Sequence, residues 1–323
     1  MKIFRSLESV PPDFGPSALT IGNFDGVHRG HRRILRRLCE IARESHLKPS
    51  VLTFDPHPTR VVSPGRAPRL LTTPDERAGL MRQESVEQVL ILPFTPEVAS
   101  LSAEDFVKDL VSARLQARVV LVGQSFRFGN RQKGTTEMLT ALGAEFGFRT
   151  EIVPAVRYRG RMVSSSAVRE LLLAGRVSLA ARFLERPYGL QGTVVSGRGV
   201  GSRSTVPTLN LATEAETIPA RGVYITRTTD VQTGRMWNSI TNVGYRPTFG
   251  ASDELSIETF LLDPLEDHSP TTIRVDFLRR IRDERQFPSP ESLRSQILQD
   301  VATAHRYFRR ARIWMGQVPC TSS

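Results

Sequence analysis

Ile21-Gly22-Asn23-Phe24-Asp25-Gly26-Val27-His28-Arg29-Gly30-His31 is the stretch from which the rest of this 323-residue chain is read. Leu19-Thr20-Ile21 enters it as the end of a buried strand. Ile34, Leu35, Leu38, Ile41 and Ala42 leave it at helical spacing. Between them lie glycines at 22, 26 and 30 and histidines at 28 and 31. A strand-to-helix turn of this kind brings backbone N–H groups and imidazoles to a phosphate chain. His28 and His31, three apart at a helix start, can both point toward the N-terminus, where the helix dipole favours anions.

The same pattern recurs downstream. Ser50-Val51-Leu52-Thr53-Phe54 reads as a second strand, completing a βαβ unit, and runs into the rigid polar turn Asp55-Pro56-His57-Pro58. Helical pieces are predicted around 76–82 and 103–114. A further strand, Val119–Val122, enters Gly123-Gln124-Ser125-Phe126-Arg127-Phe128-Gly129-Asn130. Polar loops at the carboxyl ends of strands form the ligand crevice of an open α/β sheet. Neither GxxxxGK[ST] nor a GxGxxG after the first strand is present, so phosphate binding rests on the His-x-x-His turn. One histidine at a helix start is ordinarily a cap or a surface residue. Two of them inside a Gly-Asn-Phe-Asp-Gly turn favour the ligand-binding reading.

Apolar content of 39% and charged content of 24% describe an ordinary globular chain of a length that suits two domains. Aliphatic runs are too short to span a bilayer, and Met1–Ser6 lacks an apolar signal region, so a cytoplasmic protein without a membrane partner is expected. Cys39 and Cys320 make neither a disulfide framework nor a metal site. A net charge of +11 calls for a polyanionic partner, nucleotide or nucleic acid. The densest basic cluster, Arg29, Arg32, Arg33, Arg36 and Arg37, falls on one helix and reads as a solvated face. No helix-turn-helix, zinc-finger or aromatic RNA-reading motif accompanies it.

A short helix at Leu179–Leu184 ends before Glu185-Arg186-Pro187-Tyr188-Gly189, where the pattern changes, giving expected domains of 1–184 and 185–323. Short strands then read at Leu190–Val195, Gly222–Thr228, Met236–Val243, Leu255–Leu262 and Thr272–Phe277, the spacing of a small closed antiparallel barrel. A terminal helix from Pro290 to about Arg312 carries Leu293, Ile297 and Val301 on one face. Gly197-Arg198-Gly199-Val200-Gly201 is a basic glycine-rich loop, a weak signal alone, followed closely by Pro207-Thr208-Leu209-Asn210.

Gly22–His31 resembles the ATP motif of the HxGH nucleotidyltransferases. With Thr53–Pro58, Phe126-Arg127-Phe128-Gly129 and Ser164-Ser165-Ser166-Ala167-Val168-Arg169 it resembles the bacterial bifunctional riboflavin kinase/FAD synthetase family. Pro207–Asn210 is similar to that family's PTAN motif. Asn242–Phe249, Ile257-Glu258-Thr259-Phe260 and Arg282–Phe287 match the same kinase domain. The resemblance implies a Rossmann-like α/β nucleotidyltransferase domain, then a riboflavin kinase β-barrel with a C-terminal helix. It implies ATP, riboflavin and FMN as substrates with Mg²⁺, no nucleic acid, and leaves weak self-association open. Gly22, Phe24, Gly26, His28, His31, Ser164, Ser165 and Arg169 are then expected around ATP, with His28 and His31 catalytic. Asp55, His57, Pro58, Ser125, Phe126 and Phe128 are expected near flavin. In the second domain Gly197, Gly199, Gly201, Thr208 and Asn210 are expected around ATP, Thr208 and Asn210 as metal ligands, and Glu258 as an inward-facing base.

The chain departs from the family pattern at Ser125, where Asp or Asn is usual, and at Ser166 and Leu209. It departs again at Thr205, in place of a glycine, and at Asp267-His268-Ser269-Pro270, in place of Tyr-Gly. Two other readings therefore stay open: an adenylyltransferase with a weakened kinase, and a basic nucleic-acid-binding protein on the same scaffold.

Overall fold

The computed structural model describes residues 1–195, 208–248, 251–266 and 268–315. They form two compact units, Met1–Ala167 and Val168–Ser323.

In the first unit, strands β1 (Lys2–Phe4), β2 (Ser17–Ile21), β3 (Lys48–Asp55), β4 (Gln88–Pro93), β5 (Ala117–Gly123) and β6 (Arg149–Val153) form one parallel sheet. Its order is β1-β4-β3-β2-β5-β6, and a two-stranded ribbon of β7 (Arg157–Tyr158) and β8 (Arg161–Met162) follows it in the chain. The chain winds outward from β2 through β3 to β4, then returns to the other side of β2 as β5. The order therefore reverses between β2 and β5, the position at which an open α/β sheet leaves a crevice beyond its strand carboxyl ends. The strands read as almost unbroken apolar runs because both faces are covered. One face places Leu19, Ile21, Leu52, Leu90, Val120 and Val122 against Phe106, Val107, Leu110 and Leu139. The other places Ala18, Val51, Val89, Ile91 and Leu121 against Leu35, Leu38 and Ile41 of helix α1 (Arg29–Glu44) and Met81 of the helix Pro74–Gln83. The helix predicted over 103–114 is present, but Phe106–Arg114 of it is wound as a π-helix.

The basic cluster on α1 is not simply solvated. Arg32 and Arg36 both pair with Glu84, at 3.1 and 2.8 Å, Arg37 pairs with Glu151 at 2.8 Å, and Arg29 lies over the Tyr158 ring at 5.3 Å. These carboxylates and this ring are distant in sequence, so no local pattern announces them.

In the second unit, β9 (Tyr188–Val195), β10 (Thr208–Ala212), β11 (Gly222–Asp230), β12 (Met236–Thr248), β13 (Ala251–Leu261) and β14 (Thr272–Arg282) close into an antiparallel barrel, β10-β13-β12-β11-β14-β9. β10, which the sequence reading leaves as a loop motif, closes it by pairing with both β9 and β13. The interior is lined by hydroxyls as well as aliphatics. Thr226 Oγ1 lies 2.8 Å from both Ser239 Oγ and Thr241 Oγ1, Ser239 Oγ is 2.9 Å from Thr228 Oγ1, and Thr241 Oγ1 is 2.9 Å from Thr259 Oγ1. Ser239, Thr226 and Thr241 each meet two neighbours, and Thr228 and Thr259 end the row with one each, so every hydroxyl of the buried row has a partner. The terminal helix Pro290–Met315 packs Val301, Ala304, Tyr307 and Phe308 on Val223, Ile225 and Ile240. Leu293 and Ile297, expected on the packed face, are instead exposed, so the docked segment starts a turn later.

Cys39 on α1 is buried, donates to the Glu84 carbonyl at 3.2 Å, and burial pushes its thiol up to about 11. In a Cys320→Ser background, an aromatic disulfide reagent at about pH 8 should leave Cys39 unmodified until the protein is denatured. Rapid labelling of the native protein would contradict this burial.

Candidate functional site

The turn after β2 is held by a buried carboxylate. Asp25, 2% exposed, accepts through Oδ1 from the Leu71 N–H at 2.9 Å, the Thr72 N–H at 3.2 Å and the Thr72 hydroxyl at 3.3 Å. The Gly26 N–H donates to Thr72 Oγ1 at 3.0 Å, and Ser165 Oγ donates to the Asp25 carbonyl at 2.9 Å. These bonds hold Phe24 (φ 50) and Val27 (φ 38) in the left-handed region that non-glycine residues avoid. Gly26, at φ 75, has no room for a side chain: a Cβ would lie 2.7 Å from Leu71 Cδ1. The Phe24 ring is buried beneath α1, so only its backbone can face a ligand.

α1 opens on this turn. His28 is its N-cap, with Nδ1 accepting from the His31 N–H at 3.3 Å. That bond leaves the ring proton of neutral His28 on Nε2. The His28 and His31 rings stack at 3.7 Å and 15°, with the Phe24 ring 4.9 Å from His31. Burial, with His28 and Arg77 nearby, drives His31 well below the usual imidazole range, so it is neutral at neutral pH. The first turn of α1 carries no acidic residue to cancel its positive end. Two stacked imidazoles, His31 held neutral, at an uncancelled helix N-terminus form an anion site with adjustable donors.

The other residues predicted for nucleotide and flavin follow β3, β5 and β8, with Arg169 falling in the second unit. His57 follows β3 and caps the short helix Pro58–Val62, its Nδ1 accepting from the Thr59 N–H at 3.2 Å. Its Nε2 pairs with the Asn23 carboxamide at 3.1 Å, joining the β2 and β3 loops. Asp55 is exposed and Pro58 is the first residue of that helix. After β5, Ser125 is exposed and Phe126 half-buried. The Phe126 ring stacks on buried Phe128 at 5.6 Å, and Phe128 packs on Phe106 at 5.8 Å. Ser164 accepts from the Ala167 N–H at 3.2 Å and so caps helix Ser165–Leu173, on which Arg169 is half-buried. Sequence reasoning singled out neither Asp25 as the fastener of the turn nor Arg77, whose Nη1 donates to the Asn23 carbonyl at 2.6 Å.

In the barrel, register places Asn210 opposite Glu258, and Glu258 opposite Asn242 on its other side. The three form one row across β10, β13 and β12. Thr208, two residues from Asn210, shares its face. Ile257 and Thr259 are buried in the barrel, so Glu258 faces outward, not inward as the chemistry alone suggested. Its Oε1 accepts from Ser256 Oγ at 3.1 Å. The outer wall therefore presents a hydroxyl, a carboxamide and a carboxylate side by side, a donor set suited to a hard cation. Among the described residues no group of three or more His, Cys, Asp or Glu could hold a metal, so any ion here would need ligand oxygens from elsewhere. Gly197, Gly199 and Gly201, like Thr205 and Asp267, lie outside the described residues. His268 pairs through Nε2 with Asp230 Oδ2 at 2.6 Å, fastening the loop after β13 to the β11–β12 hairpin.

Known proteins resemble the chain across both units. The FAD synthetase family matches residues 11–167 and the riboflavin kinase family residues 184–308. A bifunctional riboflavin kinase/FMN adenylyltransferase from Pseudomonas fluorescens is 35% identical over 304 residues, 94% of this chain and 97% of the relative. One from Escherichia coli (strain K12) is 34% identical over 310 residues, 95% and 98% of the two chains. A crystal structure from Streptococcus pneumoniae, described as a macrolide-efflux protein, superposes with a TM-score of 0.84 at 28% identity, covering 94% of this chain and 98% of that one. Among the described residues here no helix is long and apolar enough to cross a membrane. With its two units matched in order and relatives aligned over nearly their whole length, the chain belongs to the bifunctional riboflavin kinase/FMN adenylyltransferase family.

Proposed function

We propose that this protein phosphorylates riboflavin to FMN at the barrel and adenylylates FMN to FAD at the parallel-sheet unit, using ATP in both steps. The observation that carries the reading is the stacked His28–His31 pair at the N-terminus of α1, placed where the sheet order reverses. In adenylyl transfer an FMN phosphate oxygen attacks the α-phosphorus of ATP, the bond to the β-phosphate oxygen breaks, and pyrophosphate leaves. The nucleophile is already an anion, so no general base is needed, and the work is positioning and charge stabilisation. The α1 N-terminus and the Gly22–Gly26 backbone cradle the phosphates, while His28 donates from Nε2 and His31 acts as a neutral imidazole beside it. Ser164 and Ser165 flank this cradle at the next helix start. His57, Phe126 and Phe128, with Asp55, Pro58 and Ser125, supply the flavin side.

At the barrel the attacking group is a neutral ribityl hydroxyl, which has to lose its proton as it attacks the γ-phosphorus and ADP leaves. Glu258 is placed in the role of acceptor for that proton. Mg²⁺ would be held by Thr208 and Asn210 together with nucleotide oxygens, and when bound it neutralises phosphate charge. The outward face of Glu258 suits a substrate approaching along the barrel wall, beside its row neighbours Asn210 and Asn242.

His31→Ala should lower FAD formation from added FMN by at least about 100-fold and leave FMN formation from riboflavin within about 2-fold. Glu258→Ala should do the reverse, by about 100- to 10,000-fold. Separate assays of the two half-reactions decide the assignment, and a folded variant that lost both would overturn it. Chelation by EDTA should stop both half-reactions, and added Mg²⁺ should restore them. Protonation also enters stability. The folded state holds His31 below its unfolded value, so the unfolded chain binds the proton more readily once pH falls below about 6.5. Stability should therefore fall as pH drops from about 7.5 to 5.5, and thermal melts of His31→Gln should lose less over the same interval.

A further inference from the structure

Beneath the β2 turn lies an arginine that the reaction as described does not use. Arg77, on the helix Pro74–Gln83, is 1% exposed. Its Nη1 donates to the Asn23 carbonyl at 2.6 Å and to Thr53 Oγ1 at 3.2 Å, and Thr53 Oγ1 itself donates to the Asn23 carbonyl at 3.2 Å. One guanidinium nitrogen thus ties the end of β3 to the turn after β2. The other two, Nε and Nη2, are shielded from solvent and have no hydrogen-bond partner. A tie to one carbonyl needs only one donor. An arginine that leaves two buried donors unmatched is a poor choice for that tie alone, because burial without partners is costly. What it adds over a neutral donor is a permanent charge.

We infer that Arg77 is a positioning residue of adenylyl transfer: sealed from substrate, it fixes the Asn23 carbonyl and sets a positive charge behind His31. This rests on the adenylyl-transfer reading above and deepens it. The groups facing His31 are His28, stacked on it at 3.7 Å, and Arg77, and both disfavour a proton on its ring. Asp25 and Asp55 act on Arg77 in turn, partly balancing its charge while burial works against it. Burial does most to keep His31 a neutral donor and acceptor, His28 comes next, and the fixed charge of Arg77 on the helix Pro74–Gln83 adds to both. The positive potential that an anionic substrate meets then comes from a group that cannot move or lose its proton. His31 Nδ1 is likewise shielded and unpartnered, so no hydrogen bond at that nitrogen fixes its tautomer.

Two variants of the full-length protein separate charge from tie. Arg77→Lys keeps a cation able to reach the Asn23 carbonyl, and Arg77→Gln keeps a donor but removes the charge. Wild type is assayed first for FAD formation from FMN and ATP, and its failure there would sink the adenylyl-transfer reading irrespective of Arg77. FMN formation at the barrel reports an intact second unit in every variant, and an unchanged thermal melt together with native amide dispersion reports an intact first unit. With wild type active, Arg77→Gln should lower kcat/KM for ATP by about tenfold, and on acidification its rate should begin to fall at a higher pH than that of wild type. Arg77→Lys should keep the wild-type profile. His31 Cε1–H followed by NMR, a readout independent of turnover, should titrate at higher pH in Arg77→Gln than in wild type. A pH profile and a His31 titration unchanged in Arg77→Gln, or shifted equally in Arg77→Lys, would overturn the inference.

Discussion

The bond set around the Asp25 carboxylate is the constraint on which the first unit's chemistry depends. A loop that places Phe24 and Val27 at positive φ would relax to a commoner conformation if left free. Here two backbone N–H groups and a hydroxyl from Leu71 and Thr72 converge on one buried carboxylate, and Gly26 and Ser165 add bonds from either side. An anionic acceptor strengthens each of those bonds, and their burial shields them from competing water. The strain is thereby met by contacts that the turn makes with Leu71, Thr72 and Ser165, not with the two histidines. Asp25 shapes the site and leaves the chemistry to its neighbours.

Given that turn, topology does the remaining placement. Because β3 and β5 lie on either side of β2, the loop carrying His57 and the loop carrying Phe126 leave the sheet on opposite flanks of the histidine pair. All three loops leave the same carboxyl edge, each supported by a strand buried on both faces. The barrel solves a similar problem differently. Its candidate residues sit directly on strands, so their spacing follows from pairing register, not from loop conformation. Sites carried by paired strands gain precision from the ladder.

Periodic and chemically unusual stretches were the ones the sequence disclosed. The β2–α1 turn, α1 itself, β3, β5, the barrel class and its terminal helix follow from apolar spacing and from glycine and histidine placement. β1, β4, β6 and β10 did not emerge. Val89-Leu90-Ile91-Leu92 in β4 is an unbroken apolar run without the alternation of a half-buried strand. β10 is Thr208-Leu209-Asn210-Leu211-Ala212, whose polar positions drew attention as a motif while its alternation passed unread. The facing of Glu258 depended on which neighbours are buried, a property of the closed barrel. Asp25 and Arg77 were hidden for another reason: their partners lie about fifty residues away, and a single buried charge leaves no periodic trace.

The hydroxyl row inside the barrel has an effect on the opposite side of its wall. Thr226, Thr228, Ser239, Thr241 and Thr259 satisfy one another only when β11, β12 and β13 are aligned as they are. Side chains alternate across a strand, so a slip of one residue in β12 or β13 would carry its hydroxyls outward and turn Asn242 or Glu258 into the interior. Greasy interiors tolerate such errors better, since one aliphatic contact substitutes for another. A hydrogen-bonded interior discriminates, and the wrong alignment would strand several polar groups at once. The lining thus acts as a proofreader of strand alignment, and the outer pair of Glu258 and Asn242 inherits its accuracy from residues sealed inside the barrel.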